Sequence, residues 1–406
     1  MILINSIELL VLVYVSFIFI LNMRYILFEP ILLLFITYTQ ANNIISHVLG
    51  DLQTGYYVII PFGKEKMTKY FSIDLAFPYS FLSMLFHSAN ESEPMFKEIS
   101  GSMITIDNQT YSTVLYSVLT YLSDDFIPIE DFHIHYTPNP GIKKSDSLTF
   151  SHRAIESLSL LHSLYQQNKI DRLQFGMYVN RVGYYREGKI MFGGLTKEVI
   201  EQNPYSASCK AKADTETWGC SLDVVKFYLN NVSYTYINTY KSSFQTNECR
   251  ILVPDNFIEH LKTTLFKDYI DKKMCVYADY GMNKRFKCRC DNKLTNTFPN
   301  ITFRFNNNYF TLGYMELFQQ YMDGCAFIIE GNTNGRADWI FGTGFLSNYV
   351  ELFDYESDTI TFYSEHPFTL DGDIKHIEYR EIIQYLYMGI IVIEIIEIIE
   401  LCIKRI

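Results

Sequence analysis

Trp339-Ile340-Phe341-Gly342-Thr343-Gly344-Phe345-Leu346-Ser347-Asn348-Tyr349-Val350-Glu351-Leu352-Phe353-Asp354 is the stretch on which the reading of this chain turns. Thr359-Ile360-Thr361-Phe362 follows it as a short run. Upstream stand Phe298-Pro299-Asn300-Ile301-Thr302-Phe303 and Phe310-Thr311-Leu312, bracketed by Cys290 and Cys325. Further back lie Phe175-Gly176-Met177-Tyr178-Val179-Asn180-Arg181 and Gly188-Lys189-Ile190-Met191-Phe192-Gly193-Gly194. Each piece is weak by itself. Their order and spacing carry the information.

The rest of the chain sets the frame for them. A length of 406 residues allows two to three ordinary domains or one large two-lobed one. Apolar residues make up 48% and charged residues 19%, ample material for a core and unlike a disordered chain. Aromatics reach 16%, which favours strands. With 34 basic against 45 acidic residues and a net charge of -11, the chain is not built as a general binder of phosphate backbones, so nucleic acid is not an expected partner. Tyr56-Tyr57-Val58-Ile59-Ile60-Pro61-Phe62-Gly63 reads as strand then turn. Phe71, Ile73 and Leu75 alternate on one face, and Asp131-Phe132-His133-Ile134-His135-Tyr136 alternates as well. Ile155, Leu158, Leu161, His162 and Tyr165 recur at helical spacing and predict a helix over residues 151–168. A second helix is expected after Pro254, with Phe257, Leu261 and Leu265 on one face. Many short strands and few helices predict an all-β protein in two halves.

Over residues 55–362 the chain resembles the pepsin-like aspartic peptidases. The stretch from Trp339 to Asp354 is similar to that family's W-I-L-G-D-x-F-L-x-x-Y-x-x-x-F-D segment, and Thr359-Ile360-Thr361-Phe362 to its closing strand. The resemblance implies a bilobal β fold with a cleft between lobes. The expected division is 1–41, an apolar region with a signal peptide; 42–204, the N-terminal lobe; 205–370, the C-terminal lobe; and 371–406, a tail rich in Ile and Glu. It also implies two Asp-Thr-Gly loops, one per lobe. Their chemistry needs two carboxylates about 3 Å apart sharing one proton, one activating water while the other polarises the peptide carbonyl.

Both loops depart from that pattern. Counting without gaps from Gly63 puts Asp74 at the first position, in Asp74-Leu75-Ala76. Matching Phe71 to the strand phenylalanine puts Ala76 there instead, in Ala76-Phe77-Pro78-Tyr79-Ser80. The second register is preferred, because it keeps the alternation and matches Ser80. Phe77-Pro78 then replaces Thr-Gly, so the hydroxyl contact between lobes is expected to be gone, and Pro78 removes an N–H. In the second loop, counting back from Pro254 places Gln245 where the aspartate belongs, keeps Thr246, and puts Asn247 in place of glycine. Asn tolerates a left-handed backbone, so the turn can survive. A Gln amide cannot titrate. Asp146-Ser147-Leu148 stands where the family has Asp-Gly-Ile, and Tyr111 and Tyr116 are candidates for its flap tyrosine. Tyr111 and Thr246 are the expected cleft-binding residues. Glu248 is a solvated loop residue or a substitute carboxylate.

All but one of the 8 cysteines lie between Cys209 and Cys325. That clustering indicates local disulfides. The resemblance implies Cys290–Cys325, and Cys209–Cys220 and Cys275–Cys288 are expected beside it. Cys249 and Cys402 are left over. The spacings do not fit zinc, and His133 and His135 lack a third ligand, so no metal or other cofactor is expected. Ile2 to Leu21 and Ile26 to Tyr38 are apolar runs. Read from Met23, the order Arg24, apolar stretch, Thr39-Gln40-Ala41 is that of a signal peptide cleaved after Ala41; a membrane-anchored N-terminus is the alternative. Asn90, Asn108, Asn231 and Asn300 are glycosylation sequons. Near the other end, Glu394, Glu397 and Glu400 recur every third residue as one acidic stripe on a helix, so a plain membrane span is not expected; an amphipathic helix packing on a partner or on the N-terminal run is one reading, a disordered extension the other, and membrane association through the terminal segments stays open.

The expectation is therefore a secreted or membrane-anchored pepsin-fold protein of the secretory route that has lost its catalytic pair and holds a peptide or protein in its cleft. The alternative is an active aspartic endopeptidase using Asp74 and a second carboxylate the sequence does not place.

Overall fold

The computed structural model of this chain describes residues 44–369, apart from 52–54, 63–65, 77, 83–95, 107–108, 123–126, 137–145, 181–184, 212–216, 230–231, 239, 280–282, 291–293, 295–296, 322–323 and 333–337. The chain divides between Asn42 and Asn43, and all of the described residues belong to the second unit. The expected signal peptide, the apolar N-terminal runs and the Glu-striped tail lie outside the described residues.

Among the described residues the architecture is mostly β, in three sheets. The largest has 13 strands. Ile44–Asp51, Gly55–Phe62 and Met67–Asp74 form its middle as an antiparallel meander. Tyr56, Val58 and Ile60 are buried at every second position, which is what period-2 patterning dictates for a strand with one face on the core. One edge of the sheet is the long hairpin Phe96–Ile106 with Gln109–Leu122. Towards the other edge come Gln174–Asn180, Val350–Asp354, Thr359–Ser364 and Tyr205–Lys210, so strands distant in sequence share one ladder. Leu222–Leu229 and Ile301–Phe305 centre a 4-stranded sheet. An 8-stranded sheet contains Ser242–Phe244, Ile251–Val253, Asn283–Cys288 and Trp339–Phe341. Where the 8-stranded sheet meets the large one packs an aromatic core in which the Phe244 ring lies 5.9 Å from Phe341 and 5.3 Å from Phe362.

Two parallel pairings organise the centre. Met67–Asp74 runs beside Ser147–Thr149, with Asp74 opposite Thr149. Ser242–Phe244 runs beside Trp339–Phe341, with Phe244 opposite Phe341. Each of these short strands delivers the chain into a loop at the same kind of place in its half of the molecule.

The helix expected over 151–168 is shorter. A 3-10 turn covers Glu156–Leu158 and the α-helix is Leu160–Gln166, with Ser159 extended between them. The reason is tertiary. Phe150 N–H donates to the Asp74 carbonyl at 2.8 Å and Ile155 N–H to the Pro78 carbonyl at 3.3 Å, so this backbone is committed to the first loop. The second helix is Asp255–Thr263, with Pro254 just before it and Phe257, Ile258 and Leu261 buried. Leu265 is also buried but lies past the helix end.

Disulfides join Cys209 to Cys220, Cys275 to Cys288 and Cys290 to Cys325, with Cα separations of 5.9, 4.0 and 5.7 Å. Cys249 stands outside these bonds, and Cys402 lies outside the described residues. Three disulfides fit an oxidising compartment.

Candidate functional site

The first loop leaves strand Met67–Asp74 at its buried end. Phe71, Ser72, Ile73, Asp74 and Leu75 are all buried in succession, so this piece of chain has protein on both sides. Ser72 is anchored twice on Asp146, its N–H donating to the Asp146 carbonyl at 2.9 Å and its hydroxyl at 3.0 Å. The Asp146 carboxylate in turn meets Lys69 Nζ at 2.5 Å. Asp74 is 1% exposed, and its Oδ1 accepts the Ala76 N–H at 2.9 Å. Ala76 is thus a residue of the turn that Asp74 braces, half-buried and beyond the strand. Ser80 closes the loop. It donates to the Leu158 carbonyl at 2.8 Å and accepts Thr149 N–H at 3.1 Å.

The second loop follows Ser242–Phe244. Gln245 N–H donates to the Phe341 carbonyl at 3.0 Å, and Thr343 N–H to the Glu248 carbonyl at 2.7 Å. Gly342 is required here, because a Cβ would sit 2.3 Å from the Glu248 carbonyl oxygen and 2.4 Å from that of Arg250. Asn247 does not take the left-handed backbone that its place in the loop suggested. The turn survives through the contacts to residues 341–344 instead.

The two loops touch. The Thr246 hydroxyl, fully buried, donates to the Ile73 carbonyl across a separation of 173 residues. Tyr56 N–H donates to the Thr246 carbonyl at 3.1 Å, and Gly55 gives way to it, since a Cβ there would lie 2.1 Å from that oxygen. The hydroxyl contact between the halves is therefore not lost, as expected from Phe77-Pro78, but kept from the side of the second loop. Gln245 is the residue just before the donor, and Asp74 the residue just after the acceptor.

Glu248 is part-buried and ion-paired. Its two oxygens take Arg250 Nε at 2.7 Å and Nη2 at 3.2 Å. Arg250 Nη1 reaches Glu330 Oε2 at 2.8 Å. Burial raises the Glu330 carboxyl more than Arg250 pulls it down, whereas the two carboxylates hold Arg250 charged against its own burial. Sequence reading missed Arg250, although its two-residue spacing from Glu248 was the available signal.

Other expected residues are scattered. Tyr111 lies in strand Gln109–Leu122, opposite Ile104. Tyr116 packs edge-on to Tyr136 at 6.1 Å. His135 is buried against Tyr79, with Nδ1 3.1 Å from the Thr113 hydroxyl, and burial lowers its pKa. His133 instead meets Asp131 at 3.5 Å. No cluster fit to hold a metal occurs among the described residues. Asn300 is exposed, while Asn90, Asn108 and Asn231 lie outside the described residues. No helix among the described residues is long and apolar enough to cross a membrane.

Beside the second loop opens a cavity of about 380 Å³, lined by Cys249, Arg250, Arg285, Lys287, Tyr321 and Glu330 among others.

Residues 144–364 match a family model described as eukaryotic aspartyl protease. None of the curated proteins matches this sequence. Among solved structures, an aspartic proteinase from Irpex lacteus is similar in fold, with a TM-score of 0.62 and 12% identity over 79% of this chain and 97% of that one.

Proposed function

Because the chain belongs to the eukaryotic aspartyl protease family, we propose that it is a member with a broken catalytic pair, and that its cleft binds peptide or protein without hydrolysing it. The carrying observation is the hydrogen bond from Thr246 to the Ile73 carbonyl. It makes Asp74 and Gln245 the residues that flank the junction of the two loops, so Asp74, not Ala76, holds the first position in our reading and Gln245 the second. A carboxylate facing an amide shares no proton. Asp74 can accept hydrogen bonds and hold a water, but Gln245 supplies no acid to polarise a carbonyl. Glu248, the nearest candidate replacement in sequence, is supported in a different role by its two bonds to Arg250. In the first loop Leu75 and Ala76 also stand where Thr and Gly belong, which weakens the loop's hold on any nucleophilic water.

Retention of the fold with one half of the pair removed leaves a groove. Its floor is ordered by backbone contacts that do not depend on catalysis. The three disulfides and the family support a secreted or endomembrane location.

The test is acid-pH cleavage of a mixed peptide pool, with and without a pepstatin-type inhibitor. The wild-type chain should show no inhibitor-sensitive cleavage. Q245D should gain a trace, and D74N in that background should remove it. Inhibitor-sensitive turnover by the wild-type chain, abolished by D74N, would restore the peptidase reading.

A further inference from the structure

The cavity beside the second loop and a neighbouring one form a basic strip on a chain whose net charge is -11. The first is lined by Arg250, Arg285 and Lys287, with Glu330 as the one carboxylate among its described lining residues, and that carboxylate is bonded to Arg250 at 2.8 Å. The second, of about 650 Å³, is lined by Lys262, Lys273, Lys287 and Arg289, with no carboxylate among the described residues of its wall, although Lys262 also meets Glu259 at 3.2 Å. Lys287 belongs to both. The cause lies in the strand Asn283–Cys288. Phe286 and Cys288 are buried at alternate positions, so Arg285, Lys287 and, just past the strand, Arg289 fall on the outward face. The pairing of Cys275 with Cys288 fixes the neighbouring strand Cys275–Asp279, and with it Tyr277, over whose ring Lys262 Nζ sits at 4.5 Å.

Resting on the reading of the cleft as a peptide groove, we infer that the peptide it takes carries a run of acidic side chains, read by Arg285, Lys287 and Arg289. The strip begins at Cys249 and Arg250, directly after the second loop, so it lies within reach of a peptide held at that loop. Cations spaced two residues apart on an extended strand repeat at the period of carboxylates on one face of an extended peptide. Arginines offer forked donors matched to carboxylate geometry, and the lysine adds a point charge. The apolar members of the second cavity, Ile270, Met274 and Val276, supply a wall for the peptide's intervening side chains. The overall negative charge of the chain is screened beyond roughly 10 Å at ordinary salt, so the strip governs at contact range.

Fluorescence anisotropy of the full chain with a labelled Glu-Ala repeat octapeptide, its Gln-Ala counterpart, a mixed neutral peptide pool and a heparin-derived oligosaccharide tests this. The Glu-Ala peptide should bind about tenfold more tightly than Gln-Ala, and the difference should shrink as salt rises from about 0.05 M to about 0.5 M. R285A/K287A/R289A should lose that preference, while R153A/K197A/K210A, with the same change of charge at exposed positions elsewhere, should keep it. Equal binding of the Glu and Gln peptides overturns the acidic preference and leaves the groove standing. Failure of every peptide to bind overturns both. Binding of the oligosaccharide in preference to the Glu-Ala peptide also overturns the inference.

Discussion

Asp74 shows at the scale of one residue why the first loop is hard to place. Two registers compete because Phe71, Ile73 and Leu75 alternate with Ser72 and Asp74, and alternation ordinarily marks a core face. In the fold all five are buried, so period 2 carries no information about facing there. Gln245 is easier, since Pro254 lies a short, ungapped distance beyond it. The contact that orders both loops, Thr246 to Ile73, spans 173 residues and leaves no local trace in the sequence. A second residue yields a prediction. Glu351 is 1% exposed, opposite Met177 and Phe362, and among the described residues its Oε1 has no hydrogen-bond partner. Burial pushes its carboxyl well above the ordinary glutamate value of 4.5. A folded-state value above the unfolded one means the folded chain holds the proton longer. That contribution is complete below about 4.5 and is lost as pH rises through the folded value. Between the two, about 1.4 kcal/mol is lost per pH unit. E351Q cannot ionise, so its thermal midpoint should exceed that of the wild type increasingly from about pH 5 upwards in a paired titration. Parallel curves for the two chains would show that Glu351 is not the group responsible.

Elements are legible to uneven degrees for physical reasons. Strands with one face more deeply buried than the other, such as Gly55–Phe62, announce themselves by alternation. The helix Asp255–Thr263 announces itself by Pro254 and by Phe257 and Leu261 at helical spacing. The predicted helix over 151–168 overshoots because Phe150, just before it, and Ile155, within it, are committed to the Asp74 and Pro78 carbonyls, a tertiary demand that periodicity does not register. Cys290 and Cys325 could be paired because the resemblance gave them a place on either side of one closed stretch. They enclose the hairpin of Ile301–Phe305 with Asn308–Leu312, which packs Phe303, Phe305 and Phe310 into the aromatic core. Removing the bond frees that stretch in the unfolded chain and trims little from the core beyond the buried Cys325 sulfur. C290A/C325A should therefore unfold at lower urea concentration, with stability reduced by about 3–4 kcal/mol and a steeper transition, because the denatured chain released from the loop exposes more surface. An unchanged midpoint would mean the bond constrains nothing that the aromatic packing does not already hold.

The strands on one side of the large sheet make the two halves of the molecule interdependent. Gln174–Asn180 pairs on one side with Tyr185–Phe192 and on the other with Val350–Asp354, which arrives from far along the chain. Phe175 and Phe353 stack at 4.6 Å between near-parallel rings. Trp218 Nε1 donates to the Phe150 carbonyl at 2.7 Å, and the Tyr355 hydroxyl to that of Ser151 at 3.0 Å, so the backbone leading out of Ser147–Thr149 is itself satisfied by later residues. A chain ending near residue 204 would expose Gln174–Asn180 as an open edge and leave Phe175, Phe150 and the buried carbonyls without their cover. Buried groups deprived of partners cost about 1–3 kcal/mol each, and lost aromatic burial adds about 1.5–3 kcal/mol per side chain. Against a total stability of about 5–15 kcal/mol, these losses together are decisive. The fragment 43–204 should consequently lack fixed near-ultraviolet circular dichroism, and the intact chain should unfold in a single calorimetric transition. Two resolved transitions, or a fragment with sharp tertiary signals, would show that each half carries a self-sufficient core and that the shared sheet only tethers them.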